Sequence, residues 1–321
     1  MARLIRVRPY EDPGFRRVRA GQAFRYVDHT GKAVAEGDAE RAHALVIPPA
    51  WREVWISREP RGHIQAVGTD EAGRRQYLYH ADWSKRRDKG KFARALALAE
   101  ALPRARGRVT QALRREALDR ERVLAVAFRL LDQVAPRVGT ARYFATNGSR
   151  GLTTLQRRDA EIDGSHVTLS FPAKSGKRAF LQLDDDLLAA TLEQLRTGRP
   201  RAPLLAYVRG RRRVPLTPGD VNAYVRSITG GSFTAKDFRT LRGTILAAEA
   251  LARIGTVDTK TDLKRAELLA VRATAEKLGN TPAVARSSYI DPRVFALYRR
   301  GKLMDLEGSH DNAIRRLILG E

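Results

Sequence analysis

The residues that could do chemistry stand out near the C-terminus, where Tyr289 follows a segment with strong helix-start signals. Thr281-Pro282 forms a helix cap and first turn, and Asp291-Pro292 forms the next one. A short helix is therefore predicted between them, with Tyr289 near its end. A tyrosine hydroxyl can attack an electrophile and form a covalent intermediate when neighbouring groups activate it. A single tyrosine on a helix is more often an amphipathic packing residue, so this assignment depends on its neighbours.

A second candidate segment lies upstream, at the start of a longer predicted helix. Phe238, Leu241 and Ile245 form its apolar face, and Arg239 is predicted to point away from that face. A guanidinium group keeps its charge and pairs through a planar fork with two phosphate oxygens, which suits phosphate chemistry. Arg242, three residues further on, lies on a similar face and is the alternative candidate.

Short strands and turns dominate residues 1–88. Residues 24–27 are predicted to form a hairpin with 33–35, and further strands are predicted at 54–57, 63–67 and 76–79. Alternating polar and apolar positions, rich in β-branched and aromatic residues, predict a small and mostly antiparallel β domain.

A basic run at 85–91 marks the predicted domain boundary, and beyond it apolar residues recur at helical spacing. One β-hairpin interrupts this helical region, formed by 167–171 and 179–183 with a basic turn between them. The predicted fold class is α+β, with an N-terminal antiparallel β domain at 1–88. A larger, mainly α-helical domain that contains the β-hairpin insertion is predicted at 89–321.

The charge of the chain predicts a polyanionic partner. Lys and Arg total 60 against 36 Asp and Glu, which gives a formal net charge of +24. Nucleic acid is the favoured partner, because neutralised phosphates release counterions and supply affinity that is independent of sequence. An anionic membrane surface is the alternative, but no basic amphipathic helix stands apart and no segment approaches about 20 apolar residues.

Composition and spacing also exclude several kinds of chemistry. The chain has no cysteine, which rules out disulfides, thiolate metal sites and cysteine nucleophiles. The histidines lack the spacing of metal ligands. The sequence contains no Walker-type glycine-rich loop, so ATP use is not implied. The acidic run at 184–186 is better explained as a helix N-cap than as a magnesium site. Because residues 1–6 lack the apolar core of a signal peptide, we expect a soluble protein of the cytoplasm or nucleoid.

Six segments, in order along the chain, resemble motifs of one known family, the type IB DNA topoisomerases in their compact poxvirus and bacterial form. The N-terminal ones are Ile47-Pro48-Pro49-Ala50-Trp51 and Gln76-Tyr77-Leu78-Tyr79. The later ones are Arg137-Val138-Gly139 with Tyr143, Phe171-Pro172-Ala173-Lys174, Lys236-Asp237-Phe238-Arg239-Thr240, and Leu278-Gly279-Asn280-Thr281-Pro282 followed by Ser288-Tyr289. Each motif alone is weakly specific, whereas six in the right order form a strong resemblance that spans nearly the whole chain.

The resemblance implies a catalytic role for five side chains. Tyr289 would attack a DNA phosphodiester and keep the 3′ end as a phosphotyrosine, while Arg137 and Arg239 would hold the two non-bridging oxygens. Lys174, on the hairpin turn, would protonate the departing 5′ oxygen. Asn280 stands where most relatives carry histidine, and its amide can donate the same hydrogen bond but cannot titrate.

The resemblance also implies residues that bind DNA. Gln76, Tyr77 and Tyr79 match residues that meet the major groove, and Tyr143 and Lys236 would contact DNA from the catalytic domain. Strand alternation predicts that Tyr77 and Tyr79 share one face and Gln76 the other, so one of the three could be purely structural. Lys177 remains the alternative to Lys174. Similarly, Arg137 could instead serve only to satisfy carbonyls at a helix C-terminus.

The predicted activity follows from these roles. The chain would cut one strand of supercoiled duplex DNA, allow rotation and rejoin the strand, as a monomer and without a cofactor, metal or ATP, with two domains clamping the duplex. A tyrosine recombinase is the enzymatic alternative, but its N-terminal half should be helical. Its His-x-x-Arg motif would also need histidine where Lys236 stands. An architectural DNA-binding protein is the non-enzymatic alternative.

Overall fold

The computed structural model describes residues 3–21, 23–71 and 73–320, and it confirms the α+β fold class. The chain divides into two compact units, Met1–Gly90 and Lys91–Glu321. Each unit has hydrophobic clusters of its own.

The first unit is built on an antiparallel sheet. Its elements are β1 (Gly14–Ala20), β2 (Ala23–Val27), α1 (Glu36–Ala44), β3 (Arg52–Ser57), β4 (Ile64–Thr69) and β5 (Arg75–Tyr79). The strands lie in the order β2-β1-β3-β4-β5. One face of the sheet buries a cluster that includes Phe15, Ile56 and Ala66. Trp55 and Val67 belong to a second cluster, as alternation along β3 and β4 requires.

The structure departs from the predicted hairpin at the start of this sheet. Strand β2 pairs along its length with β1, whereas its predicted partner segment contributes one bridge, between Val27 and Ala33. Strand β1 escaped prediction because arginines occupy it and few of its positions are fully buried. One of them, Arg17, donates to the carbonyls of Ile47 and Trp51 at 2.8 and 2.7 Å, a distant partnership that no local pattern reveals. Helix α1 was also not predicted.

The second unit is mainly helical. Its helices are α2 (Ala81–Leu113, which begins within the first unit), α3 (Arg120–Val134), α4 (Ala141–Asn147), α5 (Asp186–Arg196), α6 (Pro218–Thr229), α7 (Ala235–Ile254), α8 (Lys260–Lys277), α9 (Pro282–Ser288), α10 (Pro292–Tyr298) and α11 (His310–Leu319). Helices α3 and α7 meet at the centre of its core, where the ring of Phe128 packs edge-on against Phe238 at 5.2 Å. The basic run at 85–91 lies inside α2 and interrupts no backbone structure.

Two smaller sheets complete this unit. Strands β6 (Ala160–Asp163), β7 (His166–Pro172) and β8 (Arg178–Asp184) pair in sequence, and β9 (Ala206–Arg209) pairs with β10 (Arg212–Pro215). The β7–β8 hairpin is the predicted insertion. Asp185 caps α5 by accepting from the Leu188 N–H at 2.9 Å, which confirms the predicted capping role of the acidic run.

Candidate active site

Helix α8 ends in a tight turn that sets the position of Asn280. The Gly279 N–H bonds to the Glu276 carbonyl at 3.0 Å, and the Asn280 N–H bonds to the Ala275 carbonyl at 2.8 Å. This paired arrangement ends α8 and requires a left-handed residue, which Gly279 supplies with φ +60°. Asn280 is consequently buried, although it lies just beyond the helix.

Tyr289 is presented by the short helix that follows. Thr281 caps α9 by accepting from the Val284 N–H, and Pro282 occupies the first turn, as predicted. Tyr289 is the C-terminal cap of α9, and its N–H bonds to the Ala285 carbonyl at 3.0 Å. Its side chain is partly buried within the second unit.

Arg239 is held under the Tyr289 ring by the C-terminal ends of two helices. Its terminal nitrogens donate to the carbonyls of Ala135 at 2.6 Å and Leu278 at 2.8 Å, the cap residues of α3 and α8. Helix carbonyls at such ends carry partial negative charge, which favours a cation there. The guanidinium carbon lies 5.0 Å from the centre of the Tyr289 ring. The remaining Nε–H is buried and finds no hydrogen-bond partner among the described residues.

The start of α7, which carries Arg239, is itself fixed by a buried carboxylate. Asp237 accepts from the Thr234 N–H at 2.8 Å in a capping box. Arg94 of α2 also donates to Asp237 at 2.8 Å. Asp237 is 1% exposed, so the loss of Arg94 would leave a buried carboxylate without its counter-ion, which is strongly destabilising.

Arg137 approaches the same site from the loop after α3. Its Nη2 donates to the Gly279 carbonyl at 3.0 Å and to the Asn280 side-chain oxygen at 2.5 Å. Its backbone carbonyl accepts from the Leu152 N–H at 2.8 Å. Arg137 therefore satisfies a carbonyl just past the end of α8, which is similar to the purely structural role considered for it. It also contacts the side chain of Asn280, another candidate residue. The Asn280 Nδ2 is buried, and no residue in the described part of the chain bonds to it.

The electrostatics of the site favour ionisation of the tyrosine. Burial alone would raise the pKa of Tyr289, but the charge and close approach of Arg239, followed by the charges of Arg137 and Lys236, bring that pKa below its ordinary value of 10.0. Burial lowers the pKa of Arg137, the charge of Arg239 lowers it further, and Tyr289 and Tyr143 oppose the shift. Lys236 and Tyr143 thus belong to the surroundings of the cluster.

The structure does not bring Lys174 into this cluster. It lies exposed in the turn between β7 and β8, where Lys177 is exposed as well, and it makes no hydrogen bond or ion pair with the described residues. Arg242, the alternative to Arg239, lines a separate cavity of about 390 Å³ with Arg106, Asp132 and Asp311. Of the two candidate arginines on α7, Arg239 is the one next to Tyr289.

The candidate DNA-binding residues of the first unit lie on the edge strand β5. The rings of Tyr77 and Tyr79 stack with their centres 6.0 Å apart, so the two side chains share one face of the strand, as alternation predicted. Tyr79 also packs against the cluster of Trp55 and Val67, whereas Tyr77 is 40% exposed. Gln76 donates to Asp70 at 2.8 Å.

Two site residues were missed at the sequence level. Gly243 and Thr244 on α7 contact the backbone of Tyr289. A glycine inside a helix is costly and often marks a close approach, which is the signal that could have found the first of them. Thr244 carries no such signal, because a threonine inside a helix is only mildly unfavourable and commonly bonds back to its own helix.

The site and its surroundings define a class of chemistry. A tyrosine hydroxyl lies among guanidinium groups and unpartnered N–H donors, which suits a phosphodiester substrate. Within the described ranges, no group of three or more His, Cys, Asp or Glu side chains could hold a metal ion. None of the helices in the described part of the chain combines the length and apolar character that crossing a membrane requires.

Comparison with known proteins identifies the family. Residues 80–300 match the family model described as "Eukaryotic DNA topoisomerase I, catalytic core", and residues 23–70 match "Bacterial DNA topoisomerase IB, N-terminal domain". The chain belongs to the type IB DNA topoisomerases, as its motifs predicted, and it is an enzyme of that type. It is also similar to the DNA topoisomerase 1B of Acanthamoeba polyphaga mimivirus, with 28% identity over 314 residues that cover 95% of this chain and 93% of the relative.

Proposed function

We propose that Tyr289 is the nucleophile of this topoisomerase. The Tyr289 hydroxyl releases its proton to solvent, and its oxygen forms a bond to the scissile phosphorus while the bond from phosphorus to the 5′ oxygen breaks. The 3′ end stays attached as a phosphotyrosine and the other end leaves as a 5′ hydroxyl. Because the phosphoester energy is kept in the tyrosine linkage, the reverse attack by the 5′ hydroxyl rejoins the strand without ATP or metal.

The observation that carries this proposal is a set of unpartnered donors beside the tyrosine. Within the ranges that the structure describes, the Arg239 Nε and the Asn280 Nδ2 are both buried without a hydrogen-bond partner. Leaving a buried donor unsatisfied typically costs about 1–3 kcal/mol. Four other arginines also have a buried Nε of this kind, so what calls for an acceptor is that the Arg239 Nε and the Asn280 Nδ2 occur together, beside the Tyr289 ring and the Arg137 guanidinium. The non-bridging oxygens of a phosphate supply it, with Arg137 as a further donor. Donors fixed before the reaction stabilise the transition state without reorganisation.

Lys174 is proposed as the general acid for the 5′ oxygen. An alkoxide leaves poorly without a proton, and an ammonium group supplies one. Lys174 lies exposed at the turn of the β7–β8 hairpin, so bound DNA has free access to it. Lys236, exposed on the first turn of α7, is proposed to contact a phosphate near the scissile bond.

The two domains predicted from the sequence are proposed to divide the work. Residues 1–88 hold duplex DNA through Gln76, Tyr77 and Tyr79, with the exposed ring of Tyr77 making the most direct contact. Residues 89–321 carry the chemistry, and Tyr143, near Arg137, contacts the DNA there.

The substrate, oligomeric state and location of the enzyme are proposed as well. Its partner is supercoiled duplex DNA, it acts as a monomer in the bacterial cytoplasm at the nucleoid, and no cofactor takes part. Among compact enzymes we place it nearest the bacterial form, with the Deinococcus topoisomerase as its counterpart; the match of residues 23–70 to a bacterial N-terminal domain supports the first part of that placement.

The test is covalent capture on a strand labelled at either end. Wild-type enzyme is mixed with nicked duplex, and the reaction is stopped with detergent. We expect label on the protein only when the labelled end belongs to the fragment 5′ to the cut, because that fragment carries the new 3′ end. Tyr289→Phe should capture none and still bind the duplex, whereas the control Tyr207→Phe, altered in β9, should capture normally. Capture by Tyr289→Phe, or label from the other side of the cut, would overturn the proposal.

A further inference from the structure

Helix α7 approaches Tyr289 more closely than a side chain would allow. Gly243 lies one helical turn after Arg239, on the same face of α7. A Cβ at position 243 would lie 2.7 Å from the Tyr289 carbonyl oxygen and 2.9 Å from the Tyr289 Cβ. It would also meet a methyl of Leu278 at 3.1 Å. Two of these contacts are shorter than real Cβ atoms make, so any residue but glycine must push Tyr289 or α7 aside.

The next residue ties the same backbone to α7 with its hydroxyl. The Thr244 Oγ1 accepts from the Asp291 N–H at 3.1 Å. Its proton is shared between two carbonyls, those of Thr240 at 2.9 Å and Tyr289 at 3.2 Å. Thr244 is 2% exposed, so no water replaces these bonds when they are lost.

We infer that Gly243 and Thr244 are positioning residues for the reaction, because they seat the backbone of Tyr289 on the helix that carries Arg239. The inference rests on the proposed role of Tyr289 as nucleophile. Gly243 sets how near the tyrosine comes, and Thr244 fixes the backbone on both sides of Ile290, at Tyr289 and Asp291. Neither residue is a ligand of the scissile phosphate in this proposal.

The arrangement matters because nucleophile and phosphate ligand share one rigid support. Arg239, Gly243 and Thr244 lie within two turns of α7, so the spacing from guanidinium to tyrosine is set by helix geometry. A displacement of about 1 Å in a reacting group can cost about a hundredfold in rate. Fixing both groups to one helix protects that spacing while DNA enters and leaves.

The test compares Thr244→Val, which keeps the side-chain shape and removes the hydroxyl, with a matched control. Thr274→Val is that control, because Thr274 is fully buried in α8 and, among the described residues, its hydroxyl bonds only to the carbonyl four residues earlier, at 2.8 Å. Single-turnover cleavage and rejoining are measured together with the Kd for duplex DNA. We expect Thr244→Val to slow both reactions by about tenfold or more, with Kd unchanged. Thr244→Ser should restore most of the rate, and Thr274→Val should react at nearly the wild-type rate.

A spectroscopic measurement separates positioning from general loss of structure. Tyrosinate absorbance is followed during titration, and subtracting the curve of Tyr289→Phe isolates Tyr289. A displaced Tyr289 moves away from Arg239, so its pKa should rise in Thr244→Val and stay unchanged in Thr274→Val. Gly243→Ala should slow cleavage still more, by about a hundredfold. The control Gly107→Ala, in α2 where a Cβ meets nothing within 4 Å, should have no effect.

Two results would overturn the inference, and a third concerns the proposed function instead. Cleavage by Thr244→Val that is no slower than by Thr274→Val, or a rate lost together with the affinity for DNA, would show that Thr244 has no positioning role. If Tyr289→Phe still cleaved DNA, the assignment of the nucleophile would be wrong, and the inference would fall with it.

Discussion

The pKa of Tyr289 depends on its burial and on three cationic side chains, and their balance decides how readily its hydroxyl ionises. Burial raises the pKa, and Arg239, Arg137 and Lys236 together bring it below 10.0. A positive charge favours the phenolate, so removing Arg239 must raise the pKa again. The same arginine is proposed to bind the phosphate, and its loss should therefore affect both rate and pH dependence.

This balance predicts the pH profile of cleavage. For wild-type enzyme the single-turnover rate should rise with pH, with a midpoint below 10, because the pKa of Tyr289 is lowered from its ordinary value. In Arg239→Ala the rising limb should move to higher pH, and the maximum rate should fall by about a hundredfold to a thousandfold. Arg242→Ala, one turn along the same helix, is the control and should keep the wild-type midpoint. Equal shifts in the two variants would contradict the electrostatic role given to Arg239.

The two lysines of the β7–β8 turn can be separated in the same way. Lys174→Ala should slow cleavage by about a hundredfold or more, whereas Lys177→Ala should cleave almost normally, because only one ammonium group donates the proton. A substrate with sulfur in place of the 5′ bridging oxygen provides the decisive comparison. A thiolate leaves without a proton, so Lys174→Ala should recover on this substrate. Failure to recover would mean that Lys174 acts in some other way.

At the scale of helices, the segment that carries Tyr289 is held by a buried carboxylate. Glu267 of α8 is 5% exposed. It accepts from Arg286 of α9 at 3.0 Å and from Arg299, the cap of α10, at 2.7 Å. Helices α8, α9 and α10 therefore meet at one side chain.

Glu267→Gln should loosen this junction. The amide keeps one hydrogen-bond acceptor but loses the charge that balances two arginines, so we expect a loss of about 1–3 kcal/mol in the free energy of unfolding. Thermal or urea unfolding measures the change. Glu193→Gln, at an exposed position of α5, is the control and should be neutral within about 0.5 kcal/mol. An unaltered midpoint in Glu267→Gln would show that the arginines do not depend on it.

Elements with local signals were predictable from the sequence, and those fixed by distant partners were not. The caps at Asp185, Thr281 and Asp291 lie beside the turns they satisfy, and all three bind as predicted. Arg239 instead depends on carbonyls 104 and 39 residues away. Its motif was recognisable, but its burial between two helix ends was not. The close approach of Tyr289 to Gly243 could not be predicted for the same reason, because only the folded chain brings the two residues together.

For the whole molecule, the net charge of +24 governs how DNA is bound and released. Phosphate contacts release counterions, so affinity falls steeply as salt increases. At low salt, slow release of product DNA should limit turnover, and at high salt weak binding should limit it. Plasmid relaxation measured across salt concentrations should pass through a maximum. A steady decline from the lowest salt upward would contradict the idea that release limits turnover.

The most direct test of the whole account is relaxation of negatively supercoiled plasmid in EDTA without ATP. Wild-type enzyme should relax the plasmid to completion, and Tyr289→Phe should bind it and leave it supercoiled. The control Tyr207→Phe should relax it like the wild type. If the wild type only bound the plasmid, or relaxed it only after magnesium was added, a tyrosine nucleophile working among Arg137, Arg239 and Asn280 would not be the basis of the activity.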